Sequence, residues 1–386
     1  MQSFESLDFI QNSYNKRISR IVEEREAGTK IVGTFCLFVP DEIIFAAGAD
    51  RIILCGGKNE TISVAEEYLP RNLCPLVKSS FGSIVNKGCL GIKSCPHFNL
   101  VDLVVAENTC DSKKKMYELL VDYIPTYVID LPQKPDSPEA LNYFLAELKK
   151  FKGAMEQLTG IRITDEQLNR EVKSSNETRK LFSRLYEFRK KDPPAISGLS
   201  MLKILQKQYF LSPAELKKAL KMLIREVEQE KEDNKLVNRE RMPRIMVSGC
   251  PMAGGNTKVP DIIESKGGII VAEESCTGTR SFWDFVDEEK DPMLALAERY
   301  IKIPCSCMSP NDRRIENILE LAREFNIDGV VYYTLQFCHG YNIEKYKVQQ
   351  ALKKEGIPML AIETDYGDSD MEQIGLRVDA FLEMLS

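Results

Sequence analysis

The amino-acid sequence predicts an α/β protein: two parallel-sheet lobes separated by a segment that is helical throughout. Three observations carry that expectation. Short apolar runs alternate with helix-like stretches from about residue 30 to 132. The same alternation resumes from residue 243 to the C-terminus. Between them, about residues 137 to 239 show helical spacing only. Strands alternating with helices read as parallel sheets covered by helices on their faces.

In the first lobe the strand-like runs are IVGTFCLF, RIILC, DLVVAENTC and PTYVIDLP. The helical segment opens at Ser137 and Pro138, which suit an N-cap and a first helical residue. Leu141, Phe144, Leu145, Leu148, Phe151, Met155 and Leu158 then recur at helical spacing. Thr164 with Gln167 fits a capping box for the next helix. EVEQEKEDNKLVNRERMP reads as a charged, solvated helix end and linker. RIMVSGC, GGIIVAEES, DGVVYYTLQFC and PMLAIETD supply the strands of the second lobe. The expected units are therefore residues 1–136 (with an N-terminal helix), 137–240 and 241–386. The lobes are Rossmann-like or flavodoxin-like in style, without an alignable repeat. A ligand is expected in the cleft between them, at the strand C-termini.

The bulk composition narrows the function. With 386 residues, 43% hydrophobic and 28% charged, the chain is that of an ordinary globular protein of two or three domains. A net charge of −6 argues against a general nucleic-acid binder. The N-terminus lacks a secretory pattern, and no apolar run is long enough to span a bilayer, so a cytoplasmic, non-membrane protein is expected. In a reducing compartment the 11 cysteines suit buried thiols, metal ligands or nucleophiles better than a disulfide framework. Only two histidines, His97 and His339, are present, which disfavours a His-rich metal site or a Cys/His hydrolase. Nucleotide motifs are poor: the stretch from Gly249 to Lys258 looks faintly like a phosphate loop but has no lysine directly after its second glycine, and no G-x-G-x-x-G follows the first strand.

The cysteines follow the strand pattern. Cys55, Cys110, Cys250 and Cys338 end strand-like runs, and Cys276 follows another by one residue. Helix-like sequence follows several of them, and a helix N-terminus favours thiolate. Cys74 and Cys95 each precede a proline, and Cys305 and Cys307 form a Cys-Ser-Cys. Cys36, inside an apolar run, and Cys55 read as structural; Cys89 has no supporting context. Spacing alone shows no CxxC pair, and zinc competes with an iron–sulfur cluster for a thiol-rich site. Dispersed ligands gathered by a large fold suit a buried cluster better. Glu107, Glu363, Thr364 and Asp365, at strand ends, read as capping or solvated groups before proton donors.

At these segments the chain resembles the 2-hydroxyacyl-CoA dehydratase family, which includes subunits of ATP-dependent benzoyl-CoA reductases. The matching stretches are GTFCLFVPDEIIFAAGA, LPRNLCPLVKSSFG, DLVVAENTCDSKKKMYELL, RIMVSGCP and ETDYGDSD. RNLCPLVKSSFG, Cys95-Pro-His-Phe, Cys305-Ser-Cys-Met-Ser-Pro-Asn and Cys338-His-Gly-Tyr look most like the double-cubane cluster branch. The resemblance implies two Rossmann-like lobes, a homodimer, and electrons from a separate ATP-hydrolysing iron–sulfur reductase. It implies Cys74, Cys110 and Cys338 as ligands of one 4Fe–4S unit, and Cys95, Cys276 and Cys305 for a second cubane, with Cys307 the nearest substitute. Lys78, Ser79, Ser80 and His339 become candidates to donate to sulfide or to a small-molecule substrate. The expected activity is oxygen-sensitive, low-potential reduction. The alternatives are a dehydratase subunit with a single 4Fe–4S cluster, and a non-catalytic cluster carrier.

Overall fold

The computed structural model describes residues 4–86, 96–232 and 241–385. Two four-stranded parallel sheets form the centres of two lobes. The first contains β1 (Ile31–Thr34), β2 (Asp50–Ile53), β3 (Leu103–Glu107) and β4 (Thr126–Ile129), in the order β2-β1-β3-β4. The second contains β5 (Arg244–Gly249), β6 (Ile269–Glu274), β7 (Gly329–Leu335) and β8 (Met359–Thr364), in the order β6-β5-β7-β8. The two orders are the same. Each of the eight apolar runs contributes one strand, and each sheet switches direction between its first and third strands. That switch point is where doubly wound sheets leave a crevice.

Fifteen α-helices are found among the described residues. The first six are α1 (Glu5–Asn15), α2 (Arg17–Glu26), α3 (Asp41–Ala46), α4 (Ile62–Ala65), α5 (Pro75–Val85) and α6 (Asp111–Leu120). The helical segment holds α7 (Ala140–Thr159), α8 (Asp165–Glu187), α9 (Gly198–Lys207) and α10 (Pro213–Glu232). The second lobe adds α11 (Lys258–Ser265), α12 (Pro292–Tyr300), α13 (Asp312–Glu324), α14 (His339–Lys354) and α15 (Met371–Leu385). No helix among the described residues is long and apolar enough to cross a membrane.

Helix α7 starts at Ala140, after Glu139, and not at Pro138. The preceding residues form turns, with the Ser137 carbonyl accepting from the Ala140 amide at 3.1 Å. The Thr164–Gln167 capping box is present at the start of α8. The charged stretch stays helical to Glu232; its remainder, 233–240, lies outside the described residues.

The helical segment is shared between the lobes. Phe144, Leu148, Phe151 and Met155 of α7 pack with Leu168 and Val172 of α8 against Val32, Val105 and Ile129 of the first sheet. Leu202 and Leu205 of α9 and Leu220 and Leu223 of α10 join cores that reach the second sheet. Helix α12, although late in the chain, packs its Leu296 and Tyr300 into the core of the first lobe. A buried polar junction marks this crossing: Glu42 of α3 accepts from Arg179 of α8 at 2.6 Å and from the Tyr300 hydroxyl at 2.7 Å.

Candidate functional site

The C-terminal edges of both sheets face one cavity of about 380 Å³. All nine cysteines among the described residues line it: Cys36, Cys55, Cys74, Cys110, Cys250, Cys276, Cys305, Cys307 and Cys338. Six of them come in pairs that the repeated topology makes equivalent. Cys36 and Cys250 follow the first strand of their sheets, Cys55 and Cys276 the second, and Cys110 and Cys338 the third.

Local backbone geometry puts these thiols in place. Gly249 ends β5 at φ 133, and a Cβ there would lie 2.0 Å from the Tyr333 carbonyl oxygen, so only glycine allows the turn that presents Cys250. Phe337 adopts φ 59 immediately before Cys338, a conformation that bulky residues seldom take. Cys74, Cys110 and Cys338 are the N-cap residues of α5, α6 and α14. Neighbouring thiols and burial raise all three, Cys338 first at Cys74, burial at Cys110 and Cys250 at Cys338, and the helix-start amides of Leu76 and Val77, of Lys113 and of Tyr341 offset part of that rise. Gln206 of α9 lines the cavity and donates to the carbonyls of Met252, Ala253 and Asn256, each at 3.1 Å. Across the cleft the lobes meet backbone to backbone: a Cβ on Gly57 would lie 2.7 Å from the Gly254 oxygen.

The thiols influence one another. Cys74 lies within hydrogen-bonding reach of Cys338, Cys338 of Cys250, Cys36 of Cys276, and Cys305 of Cys307. Sharing with Cys338 and burial push Cys74 well up, and burial, with smaller contributions from Cys276 and Glu107 and against Lys113, pushes Cys55 to about 12. Cys305 moves the other way, to about 5, because Cys307 donates to it and Arg280 and Lys113 add positive charge against the effect of burial. Lys113 is bonded to buried Glu107, and Arg280 to Glu274 and the Tyr341 hydroxyl.

The structure brings together Cys74, Cys110, Cys276, Cys305, Cys307 and Cys338, with exposed His339 at the rim. Cys95 and Cys89 lie outside the described residues. Lys78 and Ser79 do not line the cavity. The Lys78 ammonium donates to Glu66 at 2.8 Å and to the Arg71 carbonyl at 2.9 Å. The Ser79 hydroxyl donates to the Lys58 carbonyl at 2.8 Å, and Ser80 accepts from the Gly56 amide. Both serines thus brace the loop after Cys55. Glu363 and Thr364 are held by Asn342 and Asp370 outside the cavity.

Cys36 and Cys55, read from the sequence as structural, pack against the cores of the first lobe and also line the cavity. The run IVGTFCLF looks like one buried strand, but pairing stops at Thr34, and Phe35, Cys36 and Leu37 form cavity wall. Equivalence with Cys250 was the signal that could have found Cys36.

The donor set suits a soft metal centre, since thiolates dominate and one histidine is present. Among the described residues no three His, Cys, Asp or Glu side chains converge as ligands of a single ion. One tetrahedral ion with bonds of about 2.3 Å draws its sulfurs to about 4 Å apart. A multinuclear cluster takes its sulfur ligands from several sides at once, which suits nine thiols distributed around one cavity wall.

Residues 36–385 match the family profile described as 2-hydroxyglutaryl-CoA dehydratase, D-component. A protein of Escherichia coli (strain K12) named as dehydratase subunit YjiM is 39% identical, over 95% of this chain and 94% of its own. The (R)-phenyllactyl-CoA dehydratase beta subunit of Clostridium sporogenes is 24% identical, over 98% and 97%. A benzoyl-CoA reductase subunit of Thauera aromatica is 23% identical, over 99% and 96%.

Proposed function

The chain belongs to the 2-hydroxyglutaryl-CoA dehydratase D-component family, and from that premise we propose that it is the iron–sulfur catalytic component of an ATP-dependent, low-potential reductase system. Electrons come from a separate ATP-hydrolysing iron–sulfur reductase, and a small unsaturated molecule is reduced. The observation that supports this reading is the number of thiols at one cavity: nine, where a single four-iron unit takes about four.

Cys74, Cys110 and Cys338 hold one cubane in this reading. Cys276 and Cys305 belong with Cys95 to the second, and Cys307 is the nearest substitute. Cys36 and Cys250 join the candidates because each lies beside one of these thiols. A bound double-cubane cluster would supply electrons at low potential, set by its net charge, hydrogen bonds to sulfur and solvent access. The chain's own residues tune that setting. Lys113 and Arg280 provide positive charge, helix-start amides face the sulfurs, and the apolar wall of Phe35, Leu37, Leu76 and Val77 limits water. His339, at the rim, is positioned to pass a proton between solvent and a substrate. Lys78 and Ser79 act in this reading through the backbone they hold. The active form is a homodimer in the cytoplasm.

A second reading is favoured by the relatives named as beta subunits of dehydratases. There the chain pairs with an unlike subunit and holds one 4Fe–4S cluster. Iron and acid-labile sulfide per chain, measured after purification without oxygen, separate the two. About eight irons with matching sulfide are expected. About four irons would transfer support to the second reading, and stoichiometric zinc without sulfide would sink both.

A further inference from the structure

Beside the thiol cavity lies a second, smaller one of about 90 Å³, in the crossing of the lobes and the helical segment. A single water needs roughly 10–15 Å³ on such a measure, so the space suits a few heavy atoms and excludes a nucleotide-sized ligand. Its polar wall carries Arg51, Arg179, Arg299, Tyr209 and one carboxylate, Asp41. The three arginines are 8%, 6% and 3% exposed, so their charges have almost no contact with bulk water.

Two of these cations are neutralised. Arg51 pairs with Asp41 at 2.8 Å, and Arg179 with Glu42 at 2.6 Å. Arg299 is not. Its Nε and Nη2 donate to the carbonyls of Asp284 (3.3 Å) and Ser281 (2.9 Å), and among the described residues it meets no carboxylate. Two groups on this wall are unspent: the Tyr209 hydroxyl and Arg51 Nε are buried with no hydrogen-bond partner, while Arg299 also stacks over the Tyr300 ring at 4.3 Å. The cavity therefore has one cation too many and donors lacking an acceptor, which is the complement of an oxyanion. Burial and the neighbouring Arg179 charge lower the Arg299 pKa, a cost that a bound anion would relieve.

We propose that this cavity binds a small oxyanion of carboxylate size, held by Arg299 with the Tyr209 hydroxyl. Cys36, Leu37, Ile53 and Tyr209 line both cavities, so the bound anion shares a wall with the thiol cavity, the Cys36 side chain included. The site would take either the carboxylate end of a small substrate or a free oxyanion.

The test is titration of the full chain, purified without oxygen, with formate, acetate and phosphate, using chloride as the ionic-strength control. Calorimetric heat and melting temperature are read together. At least one oxyanion is expected to bind and to raise the melting temperature above the chloride control. Arg299→Gln should weaken that binding by about tenfold or more, and Tyr209→Phe by several-fold. Binding of formate and acetate alone identifies a substrate carboxylate, and binding of phosphate as well identifies a free oxyanion. If Arg299→Gln does not fold, the single-hydroxyl change in Tyr209→Phe carries the test. The proposal is overturned if no oxyanion exceeds chloride, or if the folded variants bind as tightly as the wild type. Neither result depends on the iron content.

Discussion

The two lobes share a strand order and present cysteines at the same three strand ends, yet they support the cavity with different buried charge. In the second lobe Glu274 accepts from Ser248 at 2.7 Å, from Arg280 and from Arg314, and Arg314 also bonds Glu344 and the Tyr332 hydroxyl. Beneath the thiols of the first lobe, among the described residues, Lys113 and Thr109 donate to Glu107 Oε1, and Glu107 Oε2 has no partner. The outcome for the carboxylates is opposite. Burial raises Glu107 despite Lys113, whereas at Glu274 the two arginines outweigh burial and lower it. A repeated backbone thus fixes where thiols stand without fixing the field in which they stand.

Removing cations should expose that difference. The largest effect is expected from Arg314→Leu, which removes the countercharge shared by buried Glu274 and half-buried Glu344. Loss of one partner of a buried network costs about 3–5 kcal/mol. Urea denaturation of the purified chain measures it, and a loss under about 1 kcal/mol would show the network to be unimportant. Lys113→Met should cost less, about 1.5–3 kcal/mol, because one charged hydrogen bond is lost and Glu107 is already raised toward its neutral form. A larger loss for Lys113→Met than for Arg314→Leu would reverse the comparison.

The smallest effect concerns the junction that both lobes share. Burial pushes the Glu42 carboxyl up, but Arg179 and the Tyr300 hydroxyl outweigh it, and its pKa lies below the ordinary 4.5. A carboxylate held lower when folded than unfolded adds stability that is complete above pH 4.5. That stability disappears as the pH falls through the folded value. Urea midpoints of the wild type should therefore drop below pH 4.5 more steeply than those of Glu42→Gln. Parallel pH profiles would show that the junction carries no such linkage.

How much of this was legible in the chain depends on distance along it. All eight strands were, because a parallel strand buried on both faces leaves a short apolar run bounded by turns. The same property concealed Cys36, since an apolar cavity wall continues the run without a break. Proximity to Cys74 suggested roles for Lys78 and Ser79, but sequence cannot show that Glu66 and the Arg71 carbonyl hold the lysine. The cavity of Arg51, Arg179, Tyr209 and Arg299 had no sequence signal, because each residue comes from a different element and each alone reads as an ordinary surface or core side chain.

The backbone contact of Gly57 with Gly254 also bears on the order of assembly. Each sheet is made from a continuous stretch of chain and can form from nearby sequence, whereas the thiol cavity takes walls from Phe35 to Tyr341. Contacts of such long range form late, after the loop-closure entropy has been met. A ligand taking sulfurs from both lobes recognises only their docked arrangement, and by mass action it holds them together. With the proposed cluster bound, maturation of this protein would be a docking event, and Gly57 and Gly254 stand where the two halves meet.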